Sequence, residues 1–112
     1  MSEIQVVQPQ GRLDALGARN LWTELEPLTR VGGAHILVDM TETRYISSDG
    51  LRVLMRATKA AKSNDGKVVL CCLTARIAEI ISMAGLEHVL EIHATRTAAQ
   101  RALEAHQTPP KE

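Results

Sequence analysis

Residues 67–73, Lys67-Val68-Val69-Leu70-Cys71-Cys72-Leu73, decide the fold class. After Lys67 the run is apolar at consecutive positions and opens with two β-branched residues. That pattern predicts a strand covered on both faces, as in sheets flanked by helices. Asn64-Asp65-Gly66 before it is a strong turn signal. Thr74 after it suits the N-cap of a helix over 75–84, and Gly85 suits its C′ position. Working towards the N-terminus, residues 49–62 (DGLRVLMRATKAAK) form the clearest helix, and residues 35–40 (HILVDM) a short apolar strand. Residues 41–47 read as a polar connection, and Gly32-Gly33 as a break. Residues 14–30 carry Leu16, Leu21, Leu25 and Leu28 at near-helical spacing with Trp22 alongside, and Pro27 is expected to end or bend that helix. Residues 4–8 (IQVVQ) are a first strand leading to Gly11, and residues 88–92 (HVLEI) a last one. Thr95 or Thr97 caps a final helix to about residue 105; Thr97 with Gln100 fits a capping box. The order βαβαβαβα predicts an α/β domain with parallel strand pairs under helical cover.

The chain has 112 residues, the size of one domain, with a core of Leu, Ile, Val, Ala and Met: there is one Trp, one Tyr and no Phe. That composition argues against aromatic base-stacking platforms. Basic and acidic residues balance at 13 each, so no global charge draws the chain to nucleic acid or an anionic membrane. No basic leader with an apolar run and no stretch of membrane-spanning length is visible, so a cytoplasmic location is expected. Cys71 and Cys72 are adjacent; in a strand they point to opposite faces and do not readily bridge, so two reduced thiols are expected. The four His are scattered and no Cys/His ligand spacing occurs, so neither metal nor cofactor is expected. The run Ile46-Ser47-Ser48-Asp49-Gly50 is not a GxSxG elbow, and the seven glycines form no phosphate-cradling loop. The expectation is a protein that is not an enzyme.

Ser48 stands where the 41–47 connection gives way to the 49–62 helix, the natural place for an N-cap. A phosphate on the same hydroxyl would lie over unpaired backbone N–H groups, gaining roughly 0.3–1 kcal/mol from the helix end. Capping and modification are compatible uses of one hydroxyl. On a helical wheel Val53, Leu54, Ala57, Ala60 and Ala61 share one arc. Arg52, Arg56 and Lys59 cluster on another, with Met55 and Lys62 at its edge. The basic arc reads as a solvated face or as a rim that meets an acidic partner. Asp14 and Asp39 read as strand-end carboxylates near Ser48, or as turn and cap residues.

Residues 45–55, YISSDGLRVLM, resemble the signature of the STAS family, named for sulfate transporters and anti-sigma-factor antagonists. Gly11-Arg12-Leu13-Asp14, Ile36-Leu37-Val38-Asp39, and Val68–Leu90 with Met83-Ala84-Gly85-Leu86 are similar to the family as well, in the expected order. The resemblance implies a mixed β-sheet of about four strands flanked by about four helices over residues 1–106; the residues QTPPKE at 107–112 read as a flexible tail. The resemblance also implies a first hairpin shortened to one strand. It implies Ser48 as the phosphorylated residue, with Ser47 in the usual Asp position and Asp49 in that of the usual second Ser. Asp14, Ser47 and Asp49 then line the partner surface, joined by Arg52, Met55, Arg56 and Lys59. The implied activity is binding: the unmodified domain docks on an anti-sigma factor that is also a serine kinase of the GHKL type, the kinase phosphorylates and ejects it, and a serine phosphatase resets it. The alternative is a structural subunit of a stressosome-type scaffold or of a membrane transporter complex.

Overall fold

The strand that opens the sequence reading lies at the centre of the molecule. A computed structural model describes residues 3–106. Its elements run β1 (Ile4–Val7), β2 (Gly11–Leu13), α1 (Ala15–Thr29), β3 (His35–Asp39), β4 (Thr43–Ile46), α2 (Ser48–Ser63), β5 (Lys67–Cys71), α3 (Ala75–Met83), β6 (Ile92–His93) and α4 (Arg96–Ala105). Four strands form the main sheet in the order β1-β3-β5-β6, and β2 pairs β4 in a small second sheet. The main sheet is parallel throughout rather than mixed. Each connection within it passes through a helix, and a crossover of that kind returns the chain in its original direction.

Both central strands are covered on both faces, as their consecutive apolar residues require. Ile36, Val38, Val68 and Leu70 face the larger core, shared with Leu21 and Leu25 of α1, Leu54, Ala57 and Ala61 of α2, and Ile77 and Ile81 of α3. The alternate residues Leu37, Val69 and Cys71 meet Ala99 and Leu103 of α4. Three helices therefore cover one face and α4 the other.

Several boundaries differ from the sequence reading. Two strands lie before α1, not one: Gln8-Pro9-Gln10 separates β1 from β2, and Gly11 takes a left-handed φ of 72°. The polar connection at 41–47 contains β4, whose Thr43 is fully buried and donates its hydroxyl to the Pro9 carbonyl at 2.8 Å. Helix α1 runs two residues past Pro27. The last strand is only Ile92–His93, because residues 86–90 turn, with the Leu90 amide donating to the Leu86 carbonyl at 3.0 Å. Thr95, not Thr97, caps α4, accepting from the Ala98 amide at 3.1 Å. Strand β5 stops at Cys71 because Cys72 adopts a left-handed φ of 62°. The tail at 107–112 lies outside the described residues.

At the amino end of the central strands, His35 at the start of β3 meets His106 just beyond α4, Nε2 to Nδ1 at 3.1 Å. Burial, then the neighbouring His106 and Lys67, hold the His35 imidazolium pKa below its ordinary 6.5. Lys67 itself is paired with Glu91 at 2.8 Å. An unfolded His35 binds its proton more readily than the folded one. Its contribution to stability is therefore complete above about pH 6.5 and is lost as the pH falls through the lower folded value. The urea midpoint is expected to drop on acidification over that window, and less so in His35→Gln. An equal drop in wild type and variant would contradict this.

Candidate functional site at the paired helix starts

Strands β2 and β4 run parallel, with a register shift between Gly11 and Arg12 that sets Leu13 beside Ile46, so the helices that follow them start side by side. Their first turns are built alike. Asp14 caps α1, accepting from the Gly17 amide at 3.0 Å. Ser47 caps α2, its Oγ accepting from the Gly50 amide at 3.3 Å. Ser47 also donates its hydroxyl (2.8 Å) and its backbone amide (2.9 Å) to the Leu13 carbonyl, tying the head of α2 to the end of β2.

This corrects the cap assignment. The cap is Ser47, and Ser48 is the first residue of α2. The reason is the β2–β4 pairing, which fixes Ser47 against Leu13. Ser48 is left exposed, and among the described residues its hydroxyl makes no hydrogen bond. Asp49, the next residue, is exposed and pairs with Arg52 at 3.3 Å.

From this head a groove of about 610 Å³ runs between α1 and α2. Helix α2 contributes Asp49, Arg52, Val53, Met55, Arg56 and Lys59, and α1 contributes Ala15, Ala18, Arg19 and Trp22. The Arg56 guanidinium lies over the Trp22 ring, 4.2 Å from its centroid. The structure thus gathers Asp49, Arg52, Met55, Arg56 and Lys59 in one groove. Asp14 and Ser47 stand at its head in capping roles. Met55 packs against the core beneath rather than at a solvated edge. Arg12, on β2, lies 4.4 Å from the centroid of the Tyr45 ring beside this head.

Asp39 belongs elsewhere. It is 6% exposed, accepts from the Thr41 amide at 3.0 Å and from its hydroxyl, and pairs with Arg96 of α4 at 3.2 Å. Burial would raise its pKa, but the Thr41 hydrogen bonds and the Arg96 charge outweigh that and hold it below the usual carboxylate value. It fastens α4 to the end of β3.

Cys71 and Cys72 do not point to opposite faces. The left-handed turn at Cys72 brings both Sγ atoms and an Asp39 oxygen within 4.8 Å of one another. Such a set can in principle ligate a metal. Its chemistry fits an ion poorly: Arg96 already neutralises Asp39, and burial pushes the Cys71 thiol up to about 12.

The fold has counterparts among known proteins. The family model described as Mlab, STAS domain matches residues 2–92. The chain belongs to the STAS-domain family. A Bordetella bronchiseptica protein named as the anti-sigma factor antagonist BtrV is 30% identical to this STAS domain over 93 residues, 83% of this chain and 80% of that one. The anti-sigma-B factor antagonist of Listeria monocytogenes is 30% identical over 82 residues, 73% of this chain and 72% of that one. A crystal structure from Thermotoga maritima superposes with a TM-score of 0.81 at 18% identity, covering 90% of this chain and 87% of that one, and so shares the fold. No helix among the described residues of this STAS domain is long and apolar enough to cross a membrane.

The α1 side of the groove, Arg19 and Trp22, escaped the sequence reading. Trp22 flanks the Leu21 and Leu25 stripe of α1 and packs on the margin of the core, which is the available signal: a large ring at the edge of an apolar stripe can also wall a surface groove.

Proposed function

We propose that this STAS domain is an anti-sigma-factor antagonist, a binding module switched by phosphorylation of Ser48. The observation that carries the reading is the free, exposed Ser48 hydroxyl at the first position of α2, beside a Ser47 that is fully engaged. A kinase can modify Ser48 without removing the cap. The proposed partner is an anti-sigma factor that is also a serine kinase of the GHKL type, and a serine phosphatase resets the switch. No catalytic group, direct nucleic-acid contact or membrane insertion enters this function, and the proposed setting is the cytoplasm.

The groove supplies the docking face. Arg52, Arg56 and Lys59 line it, and their positive charge suits an acidic partner segment and raises its encounter rate. Arg52 stands four residues after Ser48, within reach of a phosphate there. Phosphorylation then draws Arg52 away from Asp49 and from the partner alike.

The double substitution Arg52→Glu with Arg56→Glu is expected to weaken partner binding and reduce its salt dependence while the fold persists. The stability cost is small: the Arg52–Asp49 pair is exposed, and the stacking of Arg56 on Trp22 contributes about 0.5–1 kcal/mol. Calorimetric titration at two salt concentrations measures it, and unchanged affinity would remove the groove from the interface. Co-purification from the native cell tests the role itself. Recovery of a multi-copy scaffold or a transporter in place of a kinase would replace this reading with a structural one.

A further inference from the structure

We propose that Cys71 and Cys72 form a reversible vicinal dithiol–disulfide pair, a hydroperoxide-sensitive modification site at the carboxyl end of β5. Strand geometry would separate the two side chains, and here the backbone defeats it. Cys72 takes a φ of 62°, a conformation rare for residues other than glycine. The result is two thiols facing each other, the only two in the chain.

The two sulfurs differ in access. Cys71 is fully buried, whereas Cys72 is half-buried at the margin of the Leu37, Val69, Ala99 and Leu103 cluster. Cys72 is the sulfur that meets an oxidant, and Cys71 the one that resolves the product. The surroundings favour a neutral product over a bound cation. Asp39 is held by Thr41 and Arg96, and burial keeps the Cys71 thiol protonated. A disulfide adds no charge beside the Asp39–Arg96 pair.

The steps balance with hydrogen peroxide as oxidant. The Cys72 thiolate attacks one peroxide oxygen; the O–O bond breaks, and the departing hydroxide takes a proton to leave as water. Cys72 is now a sulfenic acid. The Cys71 sulfur attacks the Cys72 sulfur, the S–S bond forms as the S–O bond breaks, and the hydroxide leaves as water with the Cys71 proton. Two thiols have lost two electrons, and one peroxide has become two waters. Adjacent Cα atoms lie about 3.8 Å apart, closer than the roughly 4.4–6.8 Å that disulfides ordinarily span, so the bond is strained and readily reduced.

The test treats the full chain with equimolar hydrogen peroxide, alkylates the remaining thiols and weighs the peptide that holds both cysteines. The expected result in wild type is loss of both alkylatable thiols and a peptide lighter by two hydrogens, reversed by dithiothreitol. Cys72→Ser should slow thiol loss at Cys71 by about tenfold or more, since the buried sulfur has lost its entry point. Cys71→Ala, with circular dichroism confirming the fold, should leave Cys72 as a sulfenic acid trapped by dimedone. Three wild-type outcomes would overturn the proposal: an unreacted Cys72, a Cys72 sulfinic acid beside an alkylatable Cys71, or disulfide-linked dimers.

Discussion

Phosphorylation of Ser48 is expected to weaken partner binding more than a hundredfold, a loss of roughly 3 kcal/mol. The modification adds a charge of about −1.5 to −2 at a position already flanked by the Asp49 carboxylate. A partner closing over the head of α2 must desolvate both charges, and like charges in contact resist that burial. The amides of the first turn of α2 can hold the phosphate in place, so the domain stays folded while its surface changes. Because the cap is Ser47, Ser48→Ala should refuse phosphate, bind constitutively and change stability by only about 0.5 kcal/mol or less. Ser47→Ala should behave differently: it should still accept phosphate but lose about 1 kcal/mol with the cap, and more with the bond to Leu13. Ser48→Asp should bind poorly, with one carboxylate imitating a phosphate only in part. Each variant is incubated with the cognate kinase and ATP, and incorporated phosphate and binding are then measured. Phosphate uptake at one site by Ser48→Ala, or tight binding by the phosphorylated wild type, would end this mechanism.

The second large effect is expected at Gly17. A Cβ there would stand 2.2 Å from the Arg12 carbonyl oxygen, a backbone atom of β2 with no rotamer to escape into. Replacing Gly by Ala in a helix ordinarily gains up to about 1 kcal/mol, and here the collision outweighs it. Gly17→Ala is expected to cost about 1–3 kcal/mol, as overpacking does elsewhere, and to push α1 off the end of β2. The matching position on α2, Gly50, would meet Ile46 Cγ1 at 2.6 Å and the Leu13 Cβ at 3.0 Å. Gly50→Ala is expected to be the milder change, because its shortest contact is to a side chain that can shift, and the backbone carbonyl oxygen it also meets, that of Leu13, stands at 3.0 Å rather than 2.2 Å. Urea unfolding ranks the two. A stabilised Gly17→Ala would show that the paired helix starts are looser than the geometry requires.

The α/β layout was legible because its signals are local. Val68, Val69 and Leu70 announce a strand covered twice, and Thr74 with Gly85 brackets α3 within a dozen residues. The small β2–β4 sheet was not legible. Its strands are three and four residues long, and their stability comes from pairing with a segment some thirty positions away. That missed pairing also explains the one-residue error at the cap: in Ser47-Ser48 either hydroxyl can cap, and only contact with Leu13 decides. Cys72 failed for a related reason. Alternation along a strand assumes that the strand continues, and nothing local in Cys71-Cys72-Leu73 announces the left-handed turn. The groove was half visible, since a wheel drawn on α2 finds Arg52, Arg56 and Lys59 but cannot supply the wall that α1 brings.

The stacking of Arg56 on Trp22 gives the domain an optical property of its own. Trp22 is the chain's one indole, and it sits in the wall of the groove rather than deep in the core. A cation on its face and water at its edge set the energy of its excited state. Any occupant that lifts the guanidinium away or dries that edge changes the colour and yield of the light the protein emits. Occupancy of the groove can therefore be followed by ultraviolet fluorescence, with no label attached.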